Sequence, residues 1–260
     1  MGVVNVTPDS FSDGGVFDTT DTAIAHAREL IEAGADLIDV GGESTRPGSE
    51  PVAASVEVAR VVPVIEVLAA EGAVVSVDTT KAEVASRALA AGAEVVNDVT
   101  AGADPDLFPL VAEAGAGLVL MHMQGTPRTM QDEPRYEDVV GEVAAFLLER
   151  AHSAVTAGVD PASIVVDPGI GFGKTTDHNL ELIRRLGEMV ATGWPVMVGA
   201  SRKGFLGRIT GEQDPARRDV ATAAVTALAV ARGVAVIRVH DIASSRQAAE
   251  VAWAVARVRI

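Results

Sequence analysis

Eight short runs rich in β-branched apolar residues recur along the chain, at 3–6, 37–40, 74–77, 95–96, 118–121, 164–166, 196–198 and 234–239. They alternate with longer Ala-, Leu- and Glu-rich stretches of helical spacing, among them 22–33, 52–70, 83–91, 139–157 and 220–231. Strands that are apolar along their whole length suit a parallel sheet covered on both faces, since a sheet wetted on one side would alternate. Several helical stretches end at a glycine (Gly34, Gly72, Gly92, Gly115 and Gly158), where the left-handed C-terminal conformation costs little. Eight βα units are what a closed parallel barrel requires. No low-complexity linker divides the 260 residues, so we expect an α/β fold, a single (β/α)8 TIM barrel spanning residues 1–260. An open doubly wound sheet is the alternative. Against it, the segment after the first strand, NVTPDSFSDGG, lacks the glycine spacing that brings a dinucleotide pyrophosphate onto a helix.

Composition narrows the partners. A formal net charge of −15 repels nucleic acid and anionic membrane surfaces and leaves a small-molecule substrate as the better fit. With no cysteine there is no disulfide, no thiolate nucleophile and no Cys-ligated zinc. The N-terminus lacks the basic and apolar regions of a signal peptide, and no apolar run reaches the roughly 20 residues that span a bilayer. A soluble, cytoplasmic protein is expected.

The ends of the strands carry the chemistry. Asn5, Asp39, Asp78, Asn97, His122, Asp167, Ser201, and Arg238 with His240 interrupt the apolar runs at their carboxyl ends. Barrel enzymes build their sites there, because rigid strands fix the side chains while the βα loops vary. Any one of these residues is also an ordinary cap or turn residue. Alternation brings Ser76 and Asp78, Val95 and Asn97, Val165 and Asp167, and Val236, Arg238 and His240 onto common faces of their strands, so that the polar members can converge.

Several strings resemble the dihydropteroate synthase family, in order and over essentially the whole chain. They are NVTPDSFSDGG from Asn5, DVGGESTRPG from Asp39, VDT from Val77, NDV from Asn97, MHMQGTPRTMQ from Met121, DPGIGFGK from Asp167, GASRKGFLG from Gly199 and RVHD from Arg238. One departure is that Met1 and Gly2 already belong to the first strand, where family members usually carry preceding residues. The resemblance implies a transferase of folate biosynthesis that condenses 6-hydroxymethyl-7,8-dihydropterin diphosphate with p-aminobenzoate, releasing diphosphate and 7,8-dihydropteroate through a dissociative, SN1-like pterin cation. It also implies Mg²⁺ as cofactor, a homodimer and inhibition by sulfonamides.

Site roles follow from the same resemblance. Asp167 accepts the amidine-like N–H edge of the pterin, as a carboxylate accepts a guanidinium. Asp78 and Asn97 match two further pterin positions, with strand-end capping as their alternative. Lys203 contacts the ring carbonyl and Arg238 stacks on the ring face, unless an external salt bridge occupies them. Asn5 is the Mg²⁺ ligand, which fits an ion that keeps several waters. Thr45, Arg238 and His240 hold the diphosphate, with Ser201, Arg202 and Lys203 beside them; His240 alone reads equally as a hydrogen-bonded core residue. Residues 9–13 resemble the family's mobile first loop, with Asp13 facing the cation, and catalysis falls to Asp13, Lys203 and Arg238. Thr45, Arg46 and Pro47, with Phe172 and Ser201, line the p-aminobenzoate pocket; turn chemistry is the alternative for the loop residues. MHMQGTPRTMQ receives no role beyond methionines packing beneath the ring or in the core.

Three other readings compete. A folate-dependent methyltransferase on a related barrel would share Asp78, Asn97 and Asp167 but has no reason to keep SRK and TPDSFSDGG. A non-catalytic paralogue that binds pterin or a partner protein has no need of Asn5, Asp13, Lys203, Arg238 and His240 together. A Schiff-base aldolase using Lys203 or Lys174 is weaker, because neither lysine lies in an evident desolvating pocket.

Overall fold

Each apolar run pairs as a parallel strand, and most strands extend into the polar residue that ends the run. The computed structural model describes residues 1–7, 16–45 and 48–258. Asp13, Arg46 and Pro47 lie outside the described residues. In chain order the elements are β1 (Gly2–Asn5), α1 (Val16–Glu32), β2 (Ile38–Gly41), α2 (Ala54–Ala70), β3 (Val75–Asp78), α3 (Ala82–Ala90), β4 (Val95–Asp98), α4 (Leu107–Ala114), β5 (Gly117–Met121) and α5 (Val139–Thr156). There follow β6 (Ile164–Asp167), α6 (Thr176–Arg184), α7 (Leu186–Val190), β7 (Met197–Val198), α8 (Gly204–Thr210), α9 (Asp219–Ala231), β8 (Val236–Ile237) and α10 (Ile242–Ala256).

Strands β1 to β6 pair in sequence order and β7 pairs with β8. Parallel bridges between Val166 and Val196 and between Gly2 and Val239 join the two sheets on both sides. The backbone bonds Val166 N–H to Pro195 O, 2.9 Å, and Val3 N–H to Val239 O, 3.1 Å, complete those seams. The sheet therefore closes on itself and leaves no edge, which rules out the open doubly wound alternative.

Apolar strands have two apolar faces to bury, and each meets a different partner. Outward residues such as Val4, Ile38, Val40, Val75, Val77, Val96, Leu118 and Ile164 belong to one core with the helices. On α2 the residues Val61, Val64, Ile65 and Leu68 are buried, the i, i+3, i+4, i+7 stripe that faces the sheet. Inward residues form a second cluster, with Met1, Val119 and Met197 packed by Leu37, Val95, Val165 and Val236. That cluster plugs the lower barrel. Alternation then sends the next inward residues, Asn5, Asp78, Asn97, Met121 and Asp167, to the layer above it. Among the described residues no helix is long and apolar enough to cross a membrane.

The helix-terminating glycines Gly34, Gly72, Gly92, Gly115 and Gly158 all have positive φ, from 63° to 107°. Gly169 (φ 65°), after β6, faces a stronger constraint: a Cβ there would lie 1.9 Å from the His122 carbonyl oxygen. A Cβ on Gly72 would meet nothing within 4 Å. Gly72→Ala should therefore cost only the left-handed penalty, about 1 kcal/mol, whereas Gly169→Ala should cost about 3 kcal/mol or more because backbone must move. Urea midpoints of the two variants check this; equal losses would contradict it.

Candidate active site

Above the apolar plug, the carboxyl ends of the strands enclose a cavity of about 790 Å³. Asn5, Thr45, Asp78, Phe172, Ser201, Lys203, Arg238 and His240 all line it. Asn97 and Asp167 sit deeper, 2% and 4% exposed. Residues separated by most of the chain thus converge on one space.

Arg238 organises the floor. Its Nε donates to Asp39 Oδ2 at 2.6 Å and its Nη2 to Asp78 Oδ2 at 2.8 Å. Asn97 Nδ2 donates to the same Asp39 oxygen at 2.9 Å. Two carboxylates clamp the guanidinium in one plane, so its salt bridges are internal rather than external. Burial disfavours the charge of Arg238, but Asp39 and Asp78 outweigh it and raise its pKa. Burial also pushes Asp78 up to about 7, against the pull of Arg238. Asp39 Oδ1 and Asn97 Oδ1 are buried without a hydrogen-bond partner. The Asn97 acceptor, at the base of the cavity, asks for an N–H donor from a ligand, whereas Asp39, at 0% exposure, is out of a ligand's reach.

Asp167 and Lys203 form the opposite side. Asp167 Oδ1 accepts from Gly169 N–H at 2.7 Å, and burial raises the carboxyl's pKa against the pull of Lys203. Lys203 Nζ donates to the Ile170 carbonyl and lies 4.4 Å from the centre of the Phe172 ring. Burial lowers its pKa to about 8. Ser201 Oγ is 2.9 Å from His240 Nδ1 and accepts the His240 N–H at 3.1 Å. The chain reverses at Arg202 (φ 59°), whose guanidinium is held by Asp219 at 2.7 and 2.8 Å. Arg202 lines the cavity with its guanidinium paired to Asp219, a partner that the sequence reading, which set Arg202 beside the diphosphate, did not include.

Lys174 corrects a second expectation. It is 1% exposed, and its Nζ meets Phe172 O at 2.9 Å, His122 Nδ1 at 3.0 Å and His122 O at 3.4 Å. Both Lys174 and Lys203 are desolvated, contrary to the reason given against an aldolase. Burial lowers the Lys174 pKa to about 7, and burial together with Lys174 lowers that of His122 to about 3. These three acceptors around Nζ make Lys174 a pin between β5 and the β6–α6 segment. Of the methionines in MHMQGTPRTMQ, Met121 is buried opposite Asp167 in register, and Met130 lines the cavity beside Gln131.

Asp39 and Lys174 are the residues that sequence reasoning left without a place in the site. The signal for Asp39 was its strand-end position in DVGGESTRPG. Lys174 closes DPGIGFGK, and nothing in that string announces burial.

Comparison with known proteins agrees with this geometry. Residues 1–240 match the family described as pterin binding enzyme. The chain is 50% identical to the dihydropteroate synthase of Mycobacterium leprae over 262 residues, covering 97% of this chain and 92% of that protein. The Xanthomonas albilineans dihydropteroate synthase with 4-aminobenzoic acid superimposes with a TM-score of 0.94 at 47% identity, covering 100% of this chain and 93% of that one. The Yersinia pestis dihydropteroate synthase with a sulfonamide drug complex gives a TM-score of 0.94 at 40% identity, covering 99% and 94%.

The buried lysine yields a pH signature. Because its pKa falls from 10.5 to about 7 on folding, the folded chain binds fewer protons there than the unfolded chain between those values. Stability therefore rises with pH across that window, by at most about 1.4 kcal/mol per pH unit. Urea titrations at about pH 7 and about pH 9.5 should show the unmodified protein gaining on Lys174→Met; a difference independent of pH would contradict the depressed pKa.

Proposed function

The chain belongs to the dihydropteroate synthases of the pterin-binding enzyme family, and from that premise we propose how its cavity carries out the transfer. The observation that carries the reading is the floor itself. Asp167 and Asp78, with Asn97 Oδ1 unpartnered between strands, present acceptors to a heterocycle edge rich in N–H donors. Arg238, held flat by its two carboxylates, offers a face on which the ring stacks, and Lys203 reaches the ring from the Phe172 side.

The diphosphate then lies toward Thr45, Ser201 and His240, with Arg238 supplying charge. Asn5 fits as a ligand to Mg²⁺. Gly41 leaves bare space there, since a Cβ on it would meet Asn5 Oδ1 at 3.6 Å and Asp78 Oδ2 at 3.7 Å. Asn5 would be the protein ligand, as suits an ion that keeps several waters; among the described residues no cluster of three His, Cys, Asp or Glu side chains is set to hold a metal. When bound, Mg²⁺ supplies charge to the leaving diphosphate. The C–O bond to the pterin methylene breaks first and diphosphate leaves with the electron pair. The p-aminobenzoate nitrogen then bonds to the methylene cation and loses a proton.

Asp13 faces that cation in this reading, together with Arg46 and Pro47 at the p-aminobenzoate; all three roles rest on the resemblance of their motifs. Thr45, Phe172 and Ser201 complete the p-aminobenzoate pocket, which accepts sulfonamides in its place. We take residues 1–260 as one domain that acts in the cytoplasm as a homodimer. The pair α9 and α10 exposes Val220 and Leu228 on one helix and Val251 and Val255, an i, i+4 pair, on the other, apolar side chains that a second copy would cover.

The direct test is turnover of dihydropterin diphosphate, with and without p-aminobenzoate and Mg²⁺. Product formation should require all three, and its absence in the complete mixture would refute the assignment. Two substitutions divide binding from chemistry. Asp167→Asn sets a donor against a donor edge and should weaken pterin binding by roughly 1–3 kcal/mol in calorimetry. Asp13→Asn should leave pterin affinity unchanged and lower kcat roughly a hundredfold, the equivalent of about 3 kcal/mol. A kcat within about twofold of the unmodified enzyme would leave Asp13 as a turn residue.

A further inference from the structure

The segment between β2 and α2 carries Ser44 and Thr45 into the cavity wall, although no helix or strand holds its described residues. Its anchorage comes from behind. Glu43 bonds to Lys81 Nζ, and its Oε2 also accepts the Val52 N–H at 3.2 Å, which ties the two ends of the segment together. Lys81 is the residue just before α3, and its Nζ donates at 2.6 Å to Glu57 on α2. Glu57 is fully buried, and its second oxygen has no partner. Lys81 is thus fixed by a carboxylate that cannot reach water. Arg60 adds a bond from Nη1 to Gly42 O at 2.7 Å. Burial opposes the charge of Lys81, yet its hydrogen bonds to Glu43 and Glu57 prevail and raise its pKa.

Neither Glu43 nor Lys81 lines the cavity. We propose that they are positioning residues: the Glu57–Lys81–Glu43 bridge fixes the segment so that Thr45 stands in the cavity wall, and thereby sets affinity for the arylamine substrate without touching it. The proposal rests on the synthase reading above. It leaves binding of the pterin ring unchanged, because that floor is built by Asp39, Asp78, Asn97 and Arg238 at the strand ends and is bonded together without Glu43 or Lys81; the contact of Thr45 with the diphosphate is kept out of the comparison by saturating the pterin substrate.

Substituting Lys81 would strand the buried Glu57 charge and threaten the fold, so the test is placed on Glu43. At saturating dihydropterin diphosphate, Glu43→Ala should raise the KM for p-aminobenzoate and the inhibition constant of a sulfonamide about tenfold, with kcat within about twofold. Calorimetric affinity for a pterin that carries no diphosphate should not change. Glu43→Gln keeps an acceptor for Lys81 and Val52 and should recover most of the loss, and it carries the comparison if Glu43→Ala does not fold. Glu50→Gln, which alters an exposed acid of the same segment, should leave all constants unchanged. An unaltered KM in Glu43→Ala, or a KM rise accompanied by an equal loss of pterin affinity, would overturn the proposal while leaving the synthase reading intact. Failure of the unmodified chain to turn over would instead overturn that reading, and the proposal with it.

Discussion

A single guanidinium sits where the apolar interior of the barrel gives way to its polar mouth. Below Arg238, Met1, Val119 and Met197 fill the lumen; at its level Asp39, Asp78 and Asn97 meet it from three neighbouring strands. Burying Asp39 at 0% exposure is tolerable only because Arg238 and Asn97 bond to it. The barrel in turn depends on this cluster, since without the cation two carboxylates would face each other across adjacent strands. A buried pair of this kind contributes little to stability compared with an apolar replacement. What it provides is orientation: a flat cation with one face toward the cavity.

A second buried cation does different work. Lys174 is spent on His122 and on the Phe172 carbonyl, and so fixes the segment that places Phe172 beneath Lys203. Gln131 donates to Gly171 O at 2.9 Å and Tyr136 to Gly173 O at 2.8 Å, which binds the β5–α5 segment to the same turn. MHMQGTPRTMQ, left without a role by sequence, thereby becomes a wall of the cavity. The Gly48 N–H donates to Pro127 O at 3.1 Å, so that wall also touches the segment carrying Thr45. Among the described residues, the segments after β2, β5 and β6 thus lean on one another.

How much of this was legible in the sequence depends on the range of the interaction. Strands were legible because burial on both faces writes continuous apolar runs, and helix ends because glycine alone takes positive φ cheaply. The polar strand ends were legible for the same local reason. Pairings were not. Arg238 finds Asp39 across 199 positions, and Arg202 is paired with Asp219 from another element, which no local pattern records. The burial of Lys174 was not evident because its acceptors include a histidine 52 residues away. Glu57 on α2 likewise has its partner on another element, Lys81 just before α3.

The central claim is that Arg238 serves as a platform only while its carboxylates hold it. Asp39 makes the decisive test because it is inaccessible and cannot touch a ligand. Calorimetric titration of Asp39→Asn with a pterin, on protein shown by circular dichroism to keep its barrel, measures the claim directly. The account predicts that affinity falls about tenfold or more, or at least about 1.4 kcal/mol, although no contact with the ligand has been removed. Pterin affinity equal to that of the unmodified chain would contradict it.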